Sequence, residues 1–362
     1  MRYVGGGVVA AAAVATGVYY LTGSTKGPTA VTTQPPTPTT TSATELALLI
    51  EGAKKEGAVD LVGTMVVPAM EALLAGLNTK YSLNLKTSAW RGANPDVVAK
   101  LQASIQSNVG IPDVLVATGV AAYYDFRQKG QIMQYLPFEA KNVYDQCIIQ
   151  DWAVMPALQI RAPQYNTKLV PDGITKYDDI LNPKFKDLVA IGDAGSDPSF
   201  LSEYMILRQV LSTDFFSKLG DLNPTPMLLA DRMAESVASG EKAIAFDGLS
   251  GREQSLVDKG APIKSTFPKE GLACTPYCMA ILSGAPHPNA AKLLANFMLT
   301  EEGQVILRDQ AFYTPSRKGM GSVKWQPPLD QLNLLPVPWK AVLDPAENNK
   351  YRQEWNQLVL KK

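Results

Sequence analysis

Histidine is nearly missing from this chain of 362 residues, which contains one, His287. A Ser-His-Asp triad needs a histidine, and a histidine-based metal site usually needs more than one. His287 lies in a Pro-His-Pro segment at the predicted start of a helix, so we assign it a structural role. The sequence therefore predicts a protein that is not an enzyme, with no catalytic residue, no metal site and no cofactor.

Cysteine is also rare, and the three examples are Cys147, Cys274 and Cys278. In an oxidising compartment one disulfide can form, between Cys274 and Cys278 or between Cys147 and Cys274, and one thiol is then left over. Three buried free thiols are the alternative. A Cys-x-x-x-Cys pair without further ligands is weak support for zinc.

Neither sign of charge is in excess, because 34 Lys and Arg residues balance 34 Asp and Glu residues. The chain thus lacks the overall positive field that attracts nucleic acids, and we expect no nucleic-acid partner. Hydrophobic residues, in contrast, are plentiful. They make up 46% of the sequence, which at this length is enough for two domain-sized cores.

Charged residues are absent from residues 4–21, a Gly/Ala/Val-rich run that follows Arg2. A helix of this length spans about 27 Å and crosses the hydrocarbon core of a bilayer, and the preceding positive charge favours an N-terminus on the inside. Residues 1–23 are therefore predicted to be a membrane anchor, with a cleaved signal peptide as the alternative. Residues 24–44, rich in Thr and Pro, predict a disordered, extended stalk. Both versions place the body outside the cytoplasm, anchored at the cell surface or secreted after cleavage.

The remaining chain alternates predicted strands with predicted helices. In its first half, strands are predicted at residues 59–64, 83–90 and 112–118, each followed by a helix. The second half repeats this order, with strands at residues 188–191 and 243–247. Such alternation predicts an α/β fold with mainly parallel sheets, because right-handed crossovers place the helices on the sheet faces.

Two long apolar segments, residues 151–159 and 271–282, are interpreted as strands that carry the chain between two lobes. This interpretation gives the domain boundaries. The predicted domains are lobe 1 (45–160, with 272–320 returning to it), lobe 2 (161–271) and a C-terminal tail that packs on the body (321–362).

Ligands of parallel sheets bind beyond the carboxyl ends of the strands, where helix N-termini present unpaired N–H groups. We predict that the ligand-binding residues lie at these positions in both lobes. They are Thr64, Met65, Trp90, Arg91, Gly92, Thr118 and Gly119 in lobe 1, and Asp193, Ser196, Ser199, Asp247 and Arg252 in lobe 2.

Arg91 is the strongest candidate, because a guanidinium group binds a carboxylate or phosphate through two parallel hydrogen bonds. A solvated loop charge or an inter-lobe salt bridge is the alternative. Trp90 either stacks on a planar or cationic ligand or packs in the core. Ser196 and Ser199 belong to a predicted anion cradle, although such hydroxyl groups equally cap helices. Asp247 either pairs with an amine or a metal or forms a turn.

Several segments resemble extracytoplasmic solute-binding proteins that serve ABC importers. Residues 285–307 (APHPNAAKLLANFMLTEEGQVIL) resemble the family's C-terminal HPNAAKLFxxFLLSxEGQ segment. Further matches are LIEGAKKEG at 49–57, YNTKLV at 165–170, ILNPKFKDLVAIGD at 180–193 and FPKEG at 267–271. By pattern, the chain is most similar to the receptors for ferric iron, thiamine, polyamines and phosphonates.

The resemblance implies a type 2 periplasmic-binding-protein fold, in which two Rossmann-like α/β lobes hold a small polar or charged solute in the cleft between them. It also implies that the lobes close by a hinge motion and that the closed protein, a monomer, docks on an ABC permease. An extracytoplasmic enzyme on the same fold, with a Cys nucleophile as in thiamine-cleaving enzymes, is the alternative function.

The sequence departs from the ferric-iron receptors, which carry an adjacent Tyr-Tyr pair after the strand predicted here at residues 243–247. This chain has Asp247 and Gly248 at that place, so iron bound by phenolate ligands is not expected. A carboxylate-based cation site at Asp193 and Asp247 stays an alternative. An adjacent tyrosine pair at residues 123–124 is predicted to pack within a helix.

Overall fold

The computed structural model of the protein describes residues 42–362. The predicted membrane anchor, residues 1–23, and the predicted stalk up to residue 41 lie outside the described residues. Residues 42–44, assigned to the stalk, instead begin the first helix. Within residues 42–362, no helix combines the length and the apolar character that crossing a membrane requires.

Helices and strands alternate from residue 42 onward, as the sequence predicts. The first elements are α1 (Ser42–Glu56), β1 (Ala58–Gly63), α2 (Val67–Lys80), β2 (Lys86–Arg91), α3 (Asn94–Ser107), β3 (Val114–Ala117) and α4 (Val120–Gln128). A proline in the first turn favours the start of α2 and of α3, because the missing N–H group would have no partner inside the helix. α2 buries Met70, Leu73, Leu74 and Leu77 at helical spacing, and these residues form its core-facing side.

The middle of the chain contains the two crossover strands expected from the apolar segments. Its elements are β4 (Ile148–Ile149), β5 (Ala153–Asn166), β6 (Val189–Gly192), α5 (Pro198–Leu207), α6 (Thr213–Asp221), β7 (Thr225–Met227), α7 (Ala230–Ser239), β8 (Ile244–Leu249), α8 (Ser250–Val257), β9 (Ile263–Ser265) and β10 (Ala273–Ile281). β5 and β10 are the crossover strands, and they are buried along nearly their whole length. The helix α6 and the short strands β4, β7 and β9 were not predicted from the sequence.

The C-terminal part begins with the helix pair expected for residues 285–307. Its elements are α9 (Pro288–Leu299), α10 (Glu301–Ala311), β11 (Thr314–Pro315), α11 (Trp339–Val342) and α12 (Pro345–Leu358). The Thr300 hydroxyl group caps α10 by accepting a hydrogen bond from the N–H of Gly303 at 3.3 Å. A Cβ atom on Gly303 would lie 2.2 Å from the carbonyl oxygen of Phe297, so this helix junction requires glycine.

All eleven strands of the described chain form one mixed sheet, whose main order is β2-β1-β3-β10-β5-β8-β6-β7. The outer groups, β2-β1-β3 and β8-β6-β7, are parallel, as predicted. The prediction of a mainly parallel sheet is wrong at the centre, where β10 is antiparallel to β3 and to β5, and β5 is antiparallel to β8. The reason is that β5 and β10 carry the chain in opposite directions between the two ends of the sheet.

The buried apolar side chains form two separate cores. The first core contains residues of β1 to β4, most of β5 and β10, and α9 and α10. The second core contains residues of β6, β8 and α5 to α7, together with Trp355 of α12. On β5 the boundary between the cores lies between Ala162 and Tyr165, where the pairing with β8 also shifts register. On β10 it lies at Ala273, which belongs to the second core, while the residues from Cys274 onward belong to the first.

The strand directions bring the two sets of strand ends toward each other. β5 runs from the first core into the second, and its pairing makes β1 to β3 run in the same direction. β6 to β8 run in the opposite direction, because β8 is antiparallel to β5. The carboxyl ends of both parallel groups therefore point toward the boundary between the cores, which is where ligands of such sheets bind.

His287 and Tyr123, which were predicted from the sequence to have structural roles, connect segments of the fold. His287 precedes α9, and its Nδ1 lies 2.9 Å from Oδ2 of the fully buried Asp113, which also accepts the N–H groups of His287 and Asp60. The hydroxyl group of Tyr123, on α4, accepts from the N–H of Ala117 and donates to the carbonyl oxygen of Cys278 at 2.5 Å. Both side chains join segments of the first core.

The C-terminal helix α12 packs on the second core, while earlier residues of the tail, such as Leu329 and Trp339, pack on the first. The Trp355 ring is buried and lies edge-on to Tyr204 with 5.2 Å between the centroids. One residue before it, Glu354 accepts a hydrogen bond from the Tyr204 hydroxyl group at 2.6 Å and pairs with Arg208 at 2.8 Å. An aromatic anchor and an ion pair thus hold the end of the chain to α5.

We expect Trp355→Ala to lower the free energy of unfolding by about 3–5 kcal/mol, because it opens a cavity between α12 and the second core. Trp325→Ala is the matched control: its side chain is 54% exposed, and the expected loss is below about 1 kcal/mol. Guanidinium denaturation followed by circular dichroism measures both variants. Equal losses in the two variants would contradict the anchoring role of Trp355.

Candidate functional site

The predicted ligand-binding positions of lobe 1 come together at one edge of the sheet. β1 lies between β2 and β3, so Thr64, Arg91 and Thr118 follow neighbouring strand ends. Thr64 joins the other two, because its Oγ1 accepts from the N–H of Thr118 at 3.2 Å and its carbonyl oxygen accepts from Nε of Arg91 at 3.2 Å. Gly92 donates its N–H to the carbonyl oxygen of Gly63 at 3.1 Å, which extends the pairing of the strands.

The Arg91 side chain is exposed and held through one nitrogen only. Its Nε binds the carbonyl oxygen of Thr64, whereas Nη1 and Nη2 make no hydrogen bond to any residue between 42 and 362. This single hydrogen bond leaves the two terminal nitrogens available. Such an arrangement suits the binding of a carboxylate or phosphate through two hydrogen bonds.

Three helices begin beside Arg91 without a side-chain cap. The residues before α2, α3 and α4 are Val66, Ala93 and Gly119, and none of them accepts a hydrogen bond from the helix through its side chain. Asn94, the first residue of α3, donates through Nδ2 to the Thr118 hydroxyl group at 3.0 Å and so joins two of the starts. The positive ends of the helix dipoles add to the charge of Arg91 and favour an anion at this edge.

Two lobe 1 candidates are used for packing. Met65 has no exposed surface and belongs to the first core, so its side chain faces away from the strand ends. Trp90 is partly buried, and the ammonium group of Lys100 lies over its ring, 4.9 Å from the centroid. A Cβ atom on Gly92 would lie 2.5 Å from the Trp90 ring, so this glycine permits the close approach of the indole.

The structure adds a pair of tyrosines that the sequence analysis missed. Tyr277, on β10, and Tyr313, just before β11, have hydroxyl oxygens 2.9 Å apart. Gln159 donates through Nε2 to the Tyr277 hydroxyl group at 3.1 Å, and the N–H of Val66 approaches the Tyr313 hydroxyl group at 3.4 Å. We call these two groups the hydroxyl pair. Tyr277 lies in a largely apolar segment, where an aromatic residue is indistinguishable from a core residue by sequence, and nothing in the sequence pairs it with Tyr313.

The charges of Arg91 and Arg252, which lie beside different cores, both act on the hydroxyl pair. Burial raises the pKa of Tyr277 and of Tyr313, and the positive charges of both arginines act against that rise. Arg91 ends β2 beside the first core, and Arg252 lies on α8, which directly follows β8 of the second core. Two predicted site residues that are far apart in sequence therefore act on the same pair of hydroxyl groups.

A narrow crevice of about 10 Å³, roughly enough for one water molecule, separates α8 from the segment that contains Tyr313. Its walls include Gln159, Leu249, Gly251, Arg252, Phe312 and Tyr313. A Cβ atom on Gly251 would lie 2.0 Å from the carbonyl oxygen of Phe312, so the two sides approach this closely because α8 carries glycine there. At the rim, Arg252 forms a two-point ion pair with Asp231, with Nε–Oδ1 at 2.6 Å and Nη2–Oδ2 at 3.3 Å.

The turn from Asp193 to Ser199 does not have the anion-cradle geometry that the sequence predicted. Asp193 accepts the N–H groups of residues 195, 196 and 197 through its side chain or carbonyl oxygen. Asp197 caps α5 and accepts the N–H groups of Ser199 and Phe200, at 2.7 and 3.3 Å, as well as the Ser199 hydroxyl group. Ser196 is exposed, but its N–H is used. Carboxylate and carbonyl oxygens of Asp193 and Asp197 thus already occupy the places that an anion would take.

Asp247 is a buried residue that joins two strands. It is 6% exposed, and its Oδ1 accepts the N–H of Gly192 at 2.9 Å, which connects β8 to β6. Burial raises the pKa of the Asp247 carboxyl group, and the charge of Arg161 opposes that rise. Between residues 42 and 362, no cluster of three or more His, Cys, Asp or Glu side chains is placed to hold a metal ion.

All three cysteines are buried free thiols, so neither of the two alternative disulfides is present. Burial raises the pKa of Cys147 and of Cys274 to about 12, and it raises that of Cys278 further. The thiolate form is the nucleophile in cysteine chemistry, and burial disfavours it here.

Comparisons with known proteins find similar folds among solved structures. The fold is similar to that of the periplasmic binding protein AfuA from Actinobacillus pleuropneumoniae with fructose-6-phosphate bound (TM-score 0.69, 20% identity, covering 84% of this chain and 99% of that one). It is also similar to iron-bound HitA from Pseudomonas aeruginosa (TM-score 0.67, 17% identity, covering 83% of this chain and 99% of that one). A third similar structure is the substrate binding protein of an ABC transporter from Agrobacterium tumefaciens (TM-score 0.70, 11% identity, covering 86% of this chain and 96% of that one). A comparison with curated protein sequences gave no match.

At these identities the structural likeness establishes the fold alone. A sequence profile supplies the family: the profile of the bacterial extracellular solute-binding proteins matches residues 110–343, which is more than half of the chain. This match agrees with the expectation drawn from the sequence segments, and it supports an extracytoplasmic location and a role in binding a solute. The chain therefore belongs to the bacterial extracellular solute-binding protein family.

Proposed function

We propose that this protein captures a small polar solute with an anionic group between lobe 1 and lobe 2 and delivers it to an ABC-type import permease. The observation that carries the proposal is the exposed guanidinium group of Arg91, which is bound through Nε only and lies beside three helix starts without a side-chain cap. Arg252, beside the other core, lines a crevice together with Tyr313. A solute bound by both arginines touches both lobes at once. Its binding then favours the arrangement in which the lobes are together, which is the form that a permease recognises.

The proposed anion site lies at the edge of lobe 1. Arg91 offers two nitrogens, and the uncapped starts of α2, α3 and α4 offer N–H groups and dipole ends. Arg252 contributes a second guanidinium group when the solute replaces Asp231, its present partner. A phosphate or carboxylate group fits this donor-rich edge, and the solute in AfuA is a sugar phosphate.

Iron held by tyrosine ligands is less well supported. Phenolate ligands require deprotonated hydroxyl groups, and burial raises the pKa of both Tyr277 and Tyr313. Neutral hydroxyl groups are hydrogen-bond donors, which again suits an anionic solute. Although HitA is an iron-bound relative by fold, the chemistry of this hydroxyl pair favours an anion.

β5 and β10 form the proposed hinge between lobe 1 (45–160 with 272–320) and lobe 2 (161–271). Few residues at the core boundary need to change conformation for the lobes to separate, which is typical of hinge closure. The proposed anchor at residues 1–23 holds this monomer near its permease. A Cys-nucleophile enzyme has no supporting observation, because the thiols are buried and Asp247 and Asp193 are used to join backbone segments.

Arg91→Ala is expected to weaken binding of the co-purifying anionic solute, or of inorganic phosphate as a probe, by roughly 10- to 150-fold. Removing charge-assisted hydrogen bonds costs about 1.5–3 kcal/mol. Native mass spectrometry identifies the bound solute, and calorimetry measures the affinity. Arg232→Ala is the control, because this exposed arginine of α7 pairs with Glu235. Unchanged affinity in Arg91→Ala would remove the anion site from the proposal.

Gly251→Ala tests closure directly. The added Cβ atom would collide with the carbonyl oxygen of Phe312, and relieving such overpacking costs about 1–3 kcal/mol. We therefore expect a larger radius of gyration by small-angle X-ray scattering and a solute affinity weakened roughly 5- to 150-fold. Gly321→Ala is the control, since no atom lies within 4 Å of a Cβ placed there. A Gly251→Ala protein that stays compact and binds normally would show that this contact does not limit closure.

The thiols provide a test against the enzyme alternative. Because burial raises the pKa of Cys147 and Cys274 to about 12, the native protein should react very slowly with a thiol reagent at neutral pH. The same reagent should modify all three thiols after unfolding. Ser196→Cys, at an exposed position, is the positive control and should react at once. Rapid labelling of a native cysteine would instead support nucleophilic chemistry at that residue.

A further inference from the structure

A buried group of charged and polar side chains connects both crossover strands to the second core. Arg161 of β5 pairs with Glu203 of α5, with Nε–Oε1 at 2.7 Å, and the Thr275 hydroxyl group of β10 donates to the same Oε1 at 2.6 Å. Nη1 of Arg161 also approaches the carbonyl oxygen of Asp247 on β8 at 3.5 Å. We call Arg161, Glu203, Asp247 and Thr275 the boundary cluster.

The contacts within the boundary cluster cross between the two cores. Arg161 precedes Ala162, the last residue that β5 contributes to the first core, and Thr275 follows Cys274, the first such residue on β10. Glu203 lies among residues of α5 that belong to the second core. The Arg161 and Glu203 side chains are 6% and 2% exposed, so a rotation of the cores about β5 and β10 would bring water to this ion pair.

The charges of the cluster do not balance if both carboxyl groups are ionised. One guanidinium group serves Glu203 and Asp247, and Asp197 at the start of α5 adds a further negative charge nearby. Oε2 of Glu203 is buried and has no hydrogen-bond partner among the described residues. The pKa of Glu203 is raised to about 8. Burial and the negative charges of Asp247 and Asp197 raise this pKa, and together they outweigh Arg161 and Thr275, which lower it.

The remaining titratable groups that face Glu203 do not supply a positive charge. The Cys274 thiol of β10 and the Tyr177 hydroxyl group both lie near enough for Glu203 to raise their pKa values, which burial already raises. The Phe200 ring of α5 covers the Arg161 guanidinium group at 4.9 Å. Arg161 is thus the one cation that acts on Glu203 in the surroundings described here.

We propose that the boundary cluster is a proton-dependent latch that holds the two lobes together. In the closed arrangement a proton resides on Glu203, and Oε1 accepts from Arg161 and Thr275. When the lobes separate, water hydrates the carboxyl group, the proton passes to solvent and Glu203 becomes ionised. The inference rests on the hinge closure of the proposed function, but it does not depend on the identity of the solute.

The sign of the pH dependence follows from the direction of the shift. The carboxyl group binds its proton more tightly in the closed arrangement than when hydrated, where its pKa is close to the ordinary value for glutamate. Between that ordinary value and about 8, the closed form therefore holds more protons than the open form. Closure is then favoured at acidic pH and weakens as pH rises through this window, by at most about tenfold per pH unit for one proton.

The test is the radius of gyration of the purified full-length protein, without added solute, between about pH 5 and 9. The wild-type protein should expand as pH rises. Glu203→Gln keeps an oxygen that accepts from Arg161 and Thr275 but cannot titrate, so its radius should not change with pH. Glu253→Gln is the matched control, because Glu253 is also buried but binds the N–H of Ser265 within elements beside the second core. It should expand as the wild-type protein does.

A second variant keeps the proposal testable if Glu203→Gln fails to fold. The Thr275 hydroxyl group lowers the pKa of Glu203, so Thr275→Val should move the midpoint of the expansion to higher pH. A wild-type radius that is constant with pH, or a Glu203→Gln protein that still expands, would overturn the latch. If the wild-type protein expands with pH as expected but Arg91→Ala binds the solute normally, the proposed anion site is wrong and the proposed latch is supported.

Discussion

The pairing of β5 and β10 is the constraint on which the rest of the structure depends. Both strands are buried, so every backbone N–H and C=O group along them needs a partner, and adjacent strands supply those partners from both cores. The direction of β5 then decides the directions of the two parallel groups. Because those directions oppose each other, the strand ends meet at the core boundary, and a site formed from both cores becomes possible.

The elements of the fold could be predicted from local patterns, but their arrangement at the centre could not. The sequence shows the helical spacing of apolar residues in α2 and the Asn-Pro start of α3. It also places Arg91 at the end of a predicted strand. Antiparallel pairing of the crossover strands is a long-range feature, since an apolar run has no direction. Tyr277 was hidden for the same reason, because its hydroxyl partner Tyr313 lies thirty-six residues away in sequence.

The two edges that meet at the boundary differ in polarity for local reasons that only the structure reveals. At the edge of the first core, helix starts lack side-chain caps, and two nitrogens of Arg91 have no hydrogen-bond partner within residues 42–362. At the edge of the second core, Asp197 caps α5 and Asp193 takes the N–H groups of its turn. Sequence patterns could not separate these cases, because a Ser- and Gly-rich turn after a strand serves equally as an anion cradle or as a capped turn.

Stability alone does not explain the charged boundary cluster. Burying an ion pair removes two charges from water, and replacing such a pair with apolar residues is often neutral or stabilising. Here one guanidinium group faces two carboxyl groups, and Oε2 of Glu203 has no hydrogen-bond partner within residues 42–362, so burying the cluster is costly whether or not Glu203 carries a proton. An apolar replacement would join the two cores more firmly and would make them harder to separate. A polar cluster that gains from hydration when the cores part keeps the two arrangements close in free energy, which is what a receptor that must both hold and release its solute requires.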